Sequence, residues 1–151
     1  MNLTTRSFGE IKIANDDIIN FKEGLPGFPD DKRFVLLTEP GNSIAFLQSV
    51  DDGETSFVMV DMVGVMPDYN PHVDECLIED LGKYEPTNFL IYNIVTVNED
   101  LKDSTVNLKA PIIINAAEKK GKQIVCENDY SVKAPLFDNN EQLSEEEGKK
   151  C

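Results

Sequence analysis

His72 is the single histidine of this 151-residue chain, and so the only imidazole available as a general base near neutral pH. A Ser-His-Asp or Cys-His arrangement would have to be built around it. Pro71 and Val73 flank it, and the ring reads as a surface or loop-packed group. Cys76, Cys126 and Cys151 are widely spaced, with no C-x-x-C pair and no H-E-x-x-H motif, so no metal site is expected. Asp51-Asp52-Gly53-Glu54 resembles an acidic turn but lacks the alternating oxygen ligands and distal Glu of a calcium loop. Gly24-Leu25-Pro26-Gly27 puts a proline where a phosphate cradle needs backbone donors, so it is a structural turn. Paired carboxylates abound, but among so many acids any pairing is expected by chance. The residues offer no catalytic set and imply no cofactor; the chain reads as a non-enzyme.

Binding is what remains, and the charge says to what. Fourteen basic residues face 28 acidic ones, a net charge of −14. Such a surface repels phosphate backbones, whose protein affinity comes mainly from Lys and Arg displacing counterions. Anionic membranes are disfavoured for the same reason. The implied partner is a basic protein surface. From Phe34 through Gly82 the chain carries Glu39, Asp51, Asp52, Glu54, Asp61, Asp68, Asp74, Glu75, Glu79 and Asp80 with no Lys or Arg, whereas Leu101 to Lys133 holds six lysines against four acids. The acidic stretch is either a solvated surface or a docking face for a cationic partner, where the field would raise association rates.

The elements that must position such a face are short β-runs broken by turn residues. The pattern predicts strands over Glu10–Ile13, Asp17–Phe21, Arg33–Leu37, Ile44–Ser49, Ser56–Met62, Phe89–Val97, Thr105–Leu108, Pro111–Asn115 and Gln123–Cys126. Turns are expected at Asn15-Asp16, Gly24 to Pro29, Pro40-Gly41-Asn42, Asp51-Asp52-Gly53, Glu99-Asp100 and Lys119-Lys120-Gly121. The fold class is all-β and mainly antiparallel, with a barrel and a sandwich both open at this point. One short helix is predicted near 74–82: Asp74 caps it, Leu77, Ile78 and Leu81 form an apolar stripe, and Gly82 stops it. Residues 1–137 read as a single domain and 138–151 as an acidic disordered tail, too polar to repay its own ordering. No apolar run approaches the roughly 20 residues that span a bilayer. The first ten residues lack a signal-peptide core, and the odd cysteine count suits a reducing cytoplasm.

Phe21-Lys22-Glu23-Gly24-Leu25-Pro26-Gly27-Phe28 resembles the F-x-E-G-L/I-P-G-F signature of the FliW family. Further family-like stretches follow in order: Phe34-Val35-Leu36-Leu37, Leu47-Gln48-Ser49, Phe57-Val58, Pro67-Asp68-Tyr69, Ile94-Val95-Thr96, and the run from Thr105 to Asn115. Gly121-Lys122-Gln123, Tyr130 and Pro135-Leu136 continue it, so the resemblance covers about residues 3–137. Met62 stands where the family often has a proline, and Ile44-Ala45-Phe46 replaces a frequent Pro-Phe. The resemblance implies a compact β-barrel-like single domain that binds flagellin in the cytoplasm. It also implies that the free protein binds the translational repressor CsrA away from its RNA surface and antagonises it allosterically, so that flagellin is translated. The alternatives are a flagellin chaperone with no repressor-directed role, or an acidic RNA mimic competing at the repressor's RNA site.

Within that frame, Gly24, Pro26 and Gly27 are expected to shape a strand exit. Phe21, Phe28, Phe34, Leu47, Phe57 and Leu108 are expected in the core, and Asn107 and Asn115 to satisfy backbone groups in turns. The partner-binding surface is placed on Met66 to Glu75. Pro67-Asp68-Tyr69-Asn70-Pro71 is a rigid loop whose tyrosine suits an interface centre. The expected binding residues are Asp61, Met66, Asp68, Tyr69, Asn70, Asp74 and Glu75.

Overall fold

A computed structural model describes residues 1–136; the expected acidic tail lies outside the described residues. In chain order the strands are β1 (Asn2–Thr5), β2 (Gly9–Lys12), β3 (Ile18–Asn20), β4 (Arg33–Thr38), β5 (Ile44–Ser49), β6 (Ser56–Val60), β7 (Phe89–Thr96), β8 (Thr105–Val106), β9 (Ile112–Asn115), β10 (Lys120–Gln123) and β11 (Ala134–Pro135). One α-helical turn, α1 (Met62–Val65), follows β6. Seven strands close a ring in the order β3-β4-β5-β6-β7-β9-β10, with β10 returning to β3. Every pairing is antiparallel except that closure, a parallel contact through Lys120 opposite Asn20. The all-β, mainly antiparallel barrel is therefore the fold.

β7 explains how the ring and its appendages meet. Phe89 to Tyr92 pair with β9, while Val95 and Thr96 pair with β8, which carries β11 outward. Its loose alternation follows from having two buried faces. Leu90, Tyr92 and Ile94 pack against the barrel interior around Phe21, Phe34, Leu47, Met59 and Ile112, whereas Phe89 and Ile91 pack outside it with Ile113 and Leu81. The unbroken Ile112-Ile113-Ile114 run has the same cause, with successive side chains buried on opposite faces of one strand. The hairpin β1–β2 lies outside the ring and covers Val35 and Val50 with Leu3 and Ile13.

The expected helix at 74–82 is realised as two 3-10 turns, Glu75–Leu77 and Glu79–Leu81. The predicted cap holds, since the Asp74 carboxylate accepts from the Cys76 amide at 3.0 Å, and Gly82 ends the segment at φ +103°. A period of three brings Ile78 and Leu81 to one side. Leu81 is buried, Ile78 half-buried, and Leu77 turned outward. β10 begins three residues ahead of its predicted start. The turn residue with positive φ is Lys119 (φ +56°), so Lys120 is already in the strand. Gly121 is needed for packing instead: a Cβ there would lie 2.4 Å from the Phe21 ring.

The signature segment does shape a tight exit. The Phe28 amide donates to the Leu25 carbonyl at 2.8 Å, with Pro26 and Gly27 (φ +85°) at the centre, the residue pattern of a type II turn. Leu25 is buried in the barrel core, but Phe28 is 40% exposed, its ring edge-on to Phe57 at 5.2 Å, so the turn puts it at the rim. Asn107 and Asn115 satisfy backbone groups as expected: Asn107 accepts from the Lys109 and Ala110 amides, and Asn115 from those of Ala117 and Glu118. Asn115 also donates to the Leu81 carbonyl at 2.8 Å, tying the 3-10 segment to β9.

Candidate functional site

Asp61 follows β6 and caps α1 by accepting from the Gly64 amide at 3.0 Å. Without proline at the first helical position, Met62 is free to bury its side chain in the apolar cluster of Val60, Val95, Val106 and Leu108. Met66 is half-buried against that cluster. The loop then runs out to Asp68, which is exposed, and back in at Tyr69.

Tyr69 corrects one expectation. Its ring is 2% exposed, so it is no surface anchor. The hydroxyl donates to the Leu108 carbonyl at 2.7 Å and accepts from the Asn93 amide nitrogen at 2.9 Å, and the ring lies against Tyr130 at 4.9 Å. Burial pushes the hydroxyl up to about 12, opposed by the hydrogen bond from Asn93. An amphipathic ring suits an interface centre, but it suits a buried site with two polar partners equally well, and the sequence carries no mark of those partners.

Beyond Tyr69 the backbone is clamped by Asn128, which takes the place of a neighbouring strand. Its side-chain Oδ1 accepts from the His72 amide at 2.6 Å, and its NH₂ donates to the Asn70 carbonyl at 3.2 Å. The Tyr130 hydroxyl accepts from the Asn70 amide at 3.2 Å, and the Glu127 amide donates to the His72 carbonyl at 2.7 Å. Lys109 reaches the Asn128 carbonyl and holds the clamp from behind. Asn128 and Tyr130 were not foreseen, because their pairing with residues 70–72 spans almost 60 positions.

Past the clamp, Asp74 and Glu75 stand exposed where the first 3-10 turn begins. The Cys76 amide and then the Cys76 thiol hold the Asp74 carboxyl below its ordinary value, and Asp74 in turn pushes the thiol up. Pro71, Val73 and Glu75 form one wall of a groove of about 740 Å³ whose floor is Ile78, Phe89, Ile91 and Ile113. Tyr84, 59% exposed, packs edge-on to Phe89 at its lip. The groove adjoins the second half of the loop, whereas Met66, at the loop's other end, packs against the cluster of Val60, Val95, Val106 and Leu108.

The His72 ring has Asn70 as its hydrogen-bonding neighbour, at 3.3 Å. The Asp51 and Asp52 carboxylates of the 51–54 turn are engaged locally. Asp51 accepts from the Lys32 and Arg33 amides and pairs with the Arg33 guanidinium at 2.7 Å, and Asp52 accepts from the Glu54 amide and the Thr55 hydroxyl. Among the described residues no group of three or more His, Cys, Asp or Glu could hold a metal, and no helix is long and apolar enough to cross a membrane.

Comparison with known proteins agrees over the whole described body. The family described as "FliW protein" matches residues 2–136. The flagellar assembly factor FliW of Thermoanaerobacter pseudethanolicus is 40% identical over 141 residues, covering 91% of this chain and 94% of that one. The FliW of Natranaerobius thermophilus is 42% identical over 142 residues, covering 92% and 94%. A crystal structure of the flagellar assembly factor FliW superposes with a TM-score of 0.83 at 34% identity, over 91% of this chain and 98% of that one.

Proposed function

The chain belongs to the FliW family of flagellar assembly factors, and on that premise we propose that it is a cytoplasmic, non-enzymatic binding protein with two alternative partners. It binds flagellin, and when free of flagellin it binds the basic repressor CsrA and relieves translational repression without occupying the RNA site. Asp61, Met66, Asp68, Asn70, Asp74 and Glu75 contribute the contact surface, and Tyr69 contributes by fixing the loop that presents them.

The observation that supports this reading is the clamped acidic loop. Asp68, Asp74 and Glu75 are exposed on a backbone already held by Tyr69 and Asn128. A preorganised face loses little entropy on association, and its negative potential steers a cationic partner.

Calorimetric titration of the protein with flagellin and with the repressor, singly and in competition, tests it. Both partners should bind, each excluding the other. Asp68→Lys, which leaves Tyr69 in place, should weaken repressor binding at least tenfold while the melting temperature holds. Flagellin binding alone would favour a chaperone with no repressor-directed role. Competition with RNA at the repressor would mean direct mimicry.

A further inference from the structure

The groove beside the clamped loop has properties that the loop does not. Its floor is apolar, and the sheet beneath it is already complete, since β7 and β9 are paired with each other along this stretch. Phe89 and Ile91 of β7 and Ile113 of β9 face it, and Ile78 and Leu81 of the 3-10 segment pack against the same cluster. An apolar cleft left open between a sheet face and a short flanking segment is the geometry that takes up the apolar stripe of a partner helix or strand.

Charge selects the occupant. Glu75 and Glu79 line the groove, with Lys83 between them and Tyr84 along the chain. Lys83, the one cation of that lining, is paired with Glu85 at 3.8 Å. The rim is therefore net negative. Residues 138–151 carry five acids and two lysines, a charge of the same sign as the rim.

We propose that this groove is a docking site for a short amphipathic segment of another protein, one that inserts two or three apolar side chains over Ile78, Tyr84 and Phe89 and flanks them with lysine or arginine facing Glu75 and Glu79. The proposal goes beyond the partner reading, because it depends on the groove and not on which protein supplies the segment.

The probe is a synthetic 14-residue peptide with leucine at helical spacing and lysine elsewhere, titrated into the isotopically labelled full-length protein. Its control has every lysine replaced by glutamate. The lysine peptide should shift the amides of Val73, Ile78, Tyr84 and Phe89, and the glutamate peptide should bind at least tenfold more weakly. Tyr84→Ser combined with Glu79→Lys should weaken the lysine peptide at least tenfold; both side chains are exposed, so the fold tolerates the change. Glu99→Lys makes the same change of charge past the opposite end of β7 and should alter affinity less than twofold. Shifts scattered over the acidic surface, equal binding of the two peptides, or an equal loss in Glu99→Lys would each overturn the proposal.

Discussion

Tyr69 shows how one hydroxyl can hold a binding loop. Its removal in Tyr69→Phe keeps the ring but leaves the Leu108 carbonyl and the Asn93 amide nitrogen short of a partner. Asn93 is fully buried, and its side-chain oxygen has no hydrogen-bond partner among the described residues. We expect a stability loss of about 1–3 kcal/mol in urea denaturation. The same residue makes the fold alkali-sensitive. Its hydroxyl titrates from an ordinary 10.0 to about 12 on folding, so its contribution is complete below pH 10 and is lost as pH rises through about 12. Tyr92, raised by burial and by the Asp61 charge, adds in the same direction. The alkaline loss should therefore shrink, but not vanish, in Tyr69→Phe; an identical pH profile would remove Tyr69 from this role. The acids of the loop were legible in the sequence as unpaired charge between prolines. The burial of the tyrosine among them was not, because Asn93, Leu108 and Tyr130 lie far along the chain.

At the scale of elements, the signature turn carries the sharpest backbone requirement. Gly24 sits at φ +69°, and a Cβ on it would fall 2.8 Å from the Phe28 carbonyl oxygen and 2.9 Å from the Pro29 Cα. Gly27, at φ +85°, faces open space. Gly24→Ala should cost about 2–4 kcal/mol because conformational strain and a backbone clash add, while Gly27→Ala should cost only about 1–2 kcal/mol. Equal losses would mean that the close approach at Gly24 is relieved by movement. Strands β4, β5, β6, β7 and β9 could be read from their apolar runs bounded by turn residues, since each contributes to the barrel core. β1 and β11 escaped prediction: Asn2–Thr5 is mostly polar, and Ala134-Pro135 is only two residues long. The 74–82 segment was read correctly in its cap and its stop. Its period was not, since i, i+3 and i, i+4 spacings cannot be told apart over so few residues. The groove escaped too, because its floor is assembled from β7, β9 and the 3-10 segment, and only the fold brings these together.

For the whole molecule the governing quantity is a net charge of −14 on a small barrel. Association with a basic partner should be steered at long range and therefore screened. Raising ionic strength from about 0.05 M to about 0.5 M shortens the Debye length from about 14 Å to about 4 Å. The rate constant for binding the repressor should fall at least tenfold in stopped-flow measurements, with the dissociation rate changing far less. A salt-independent association rate would mean that the acidic surface serves solubility alone.

The ring closes where β10 meets β3, through the single register pair Lys120 and Asn20, with the Phe21 ring laid across Gly121. These two residues lie a hundred positions apart, and bringing the ends of such a segment together costs roughly 4 kcal/mol of chain entropy, more than one ladder contact returns. The closure is therefore tenable only once the strands between are already in place and the Phe21 side chain can be buried among them. Assembly of the barrel thus resembles the fastening of a clasp: the join comes last, is the thinnest part of the circle, and releases first when the circle is loosened anywhere else.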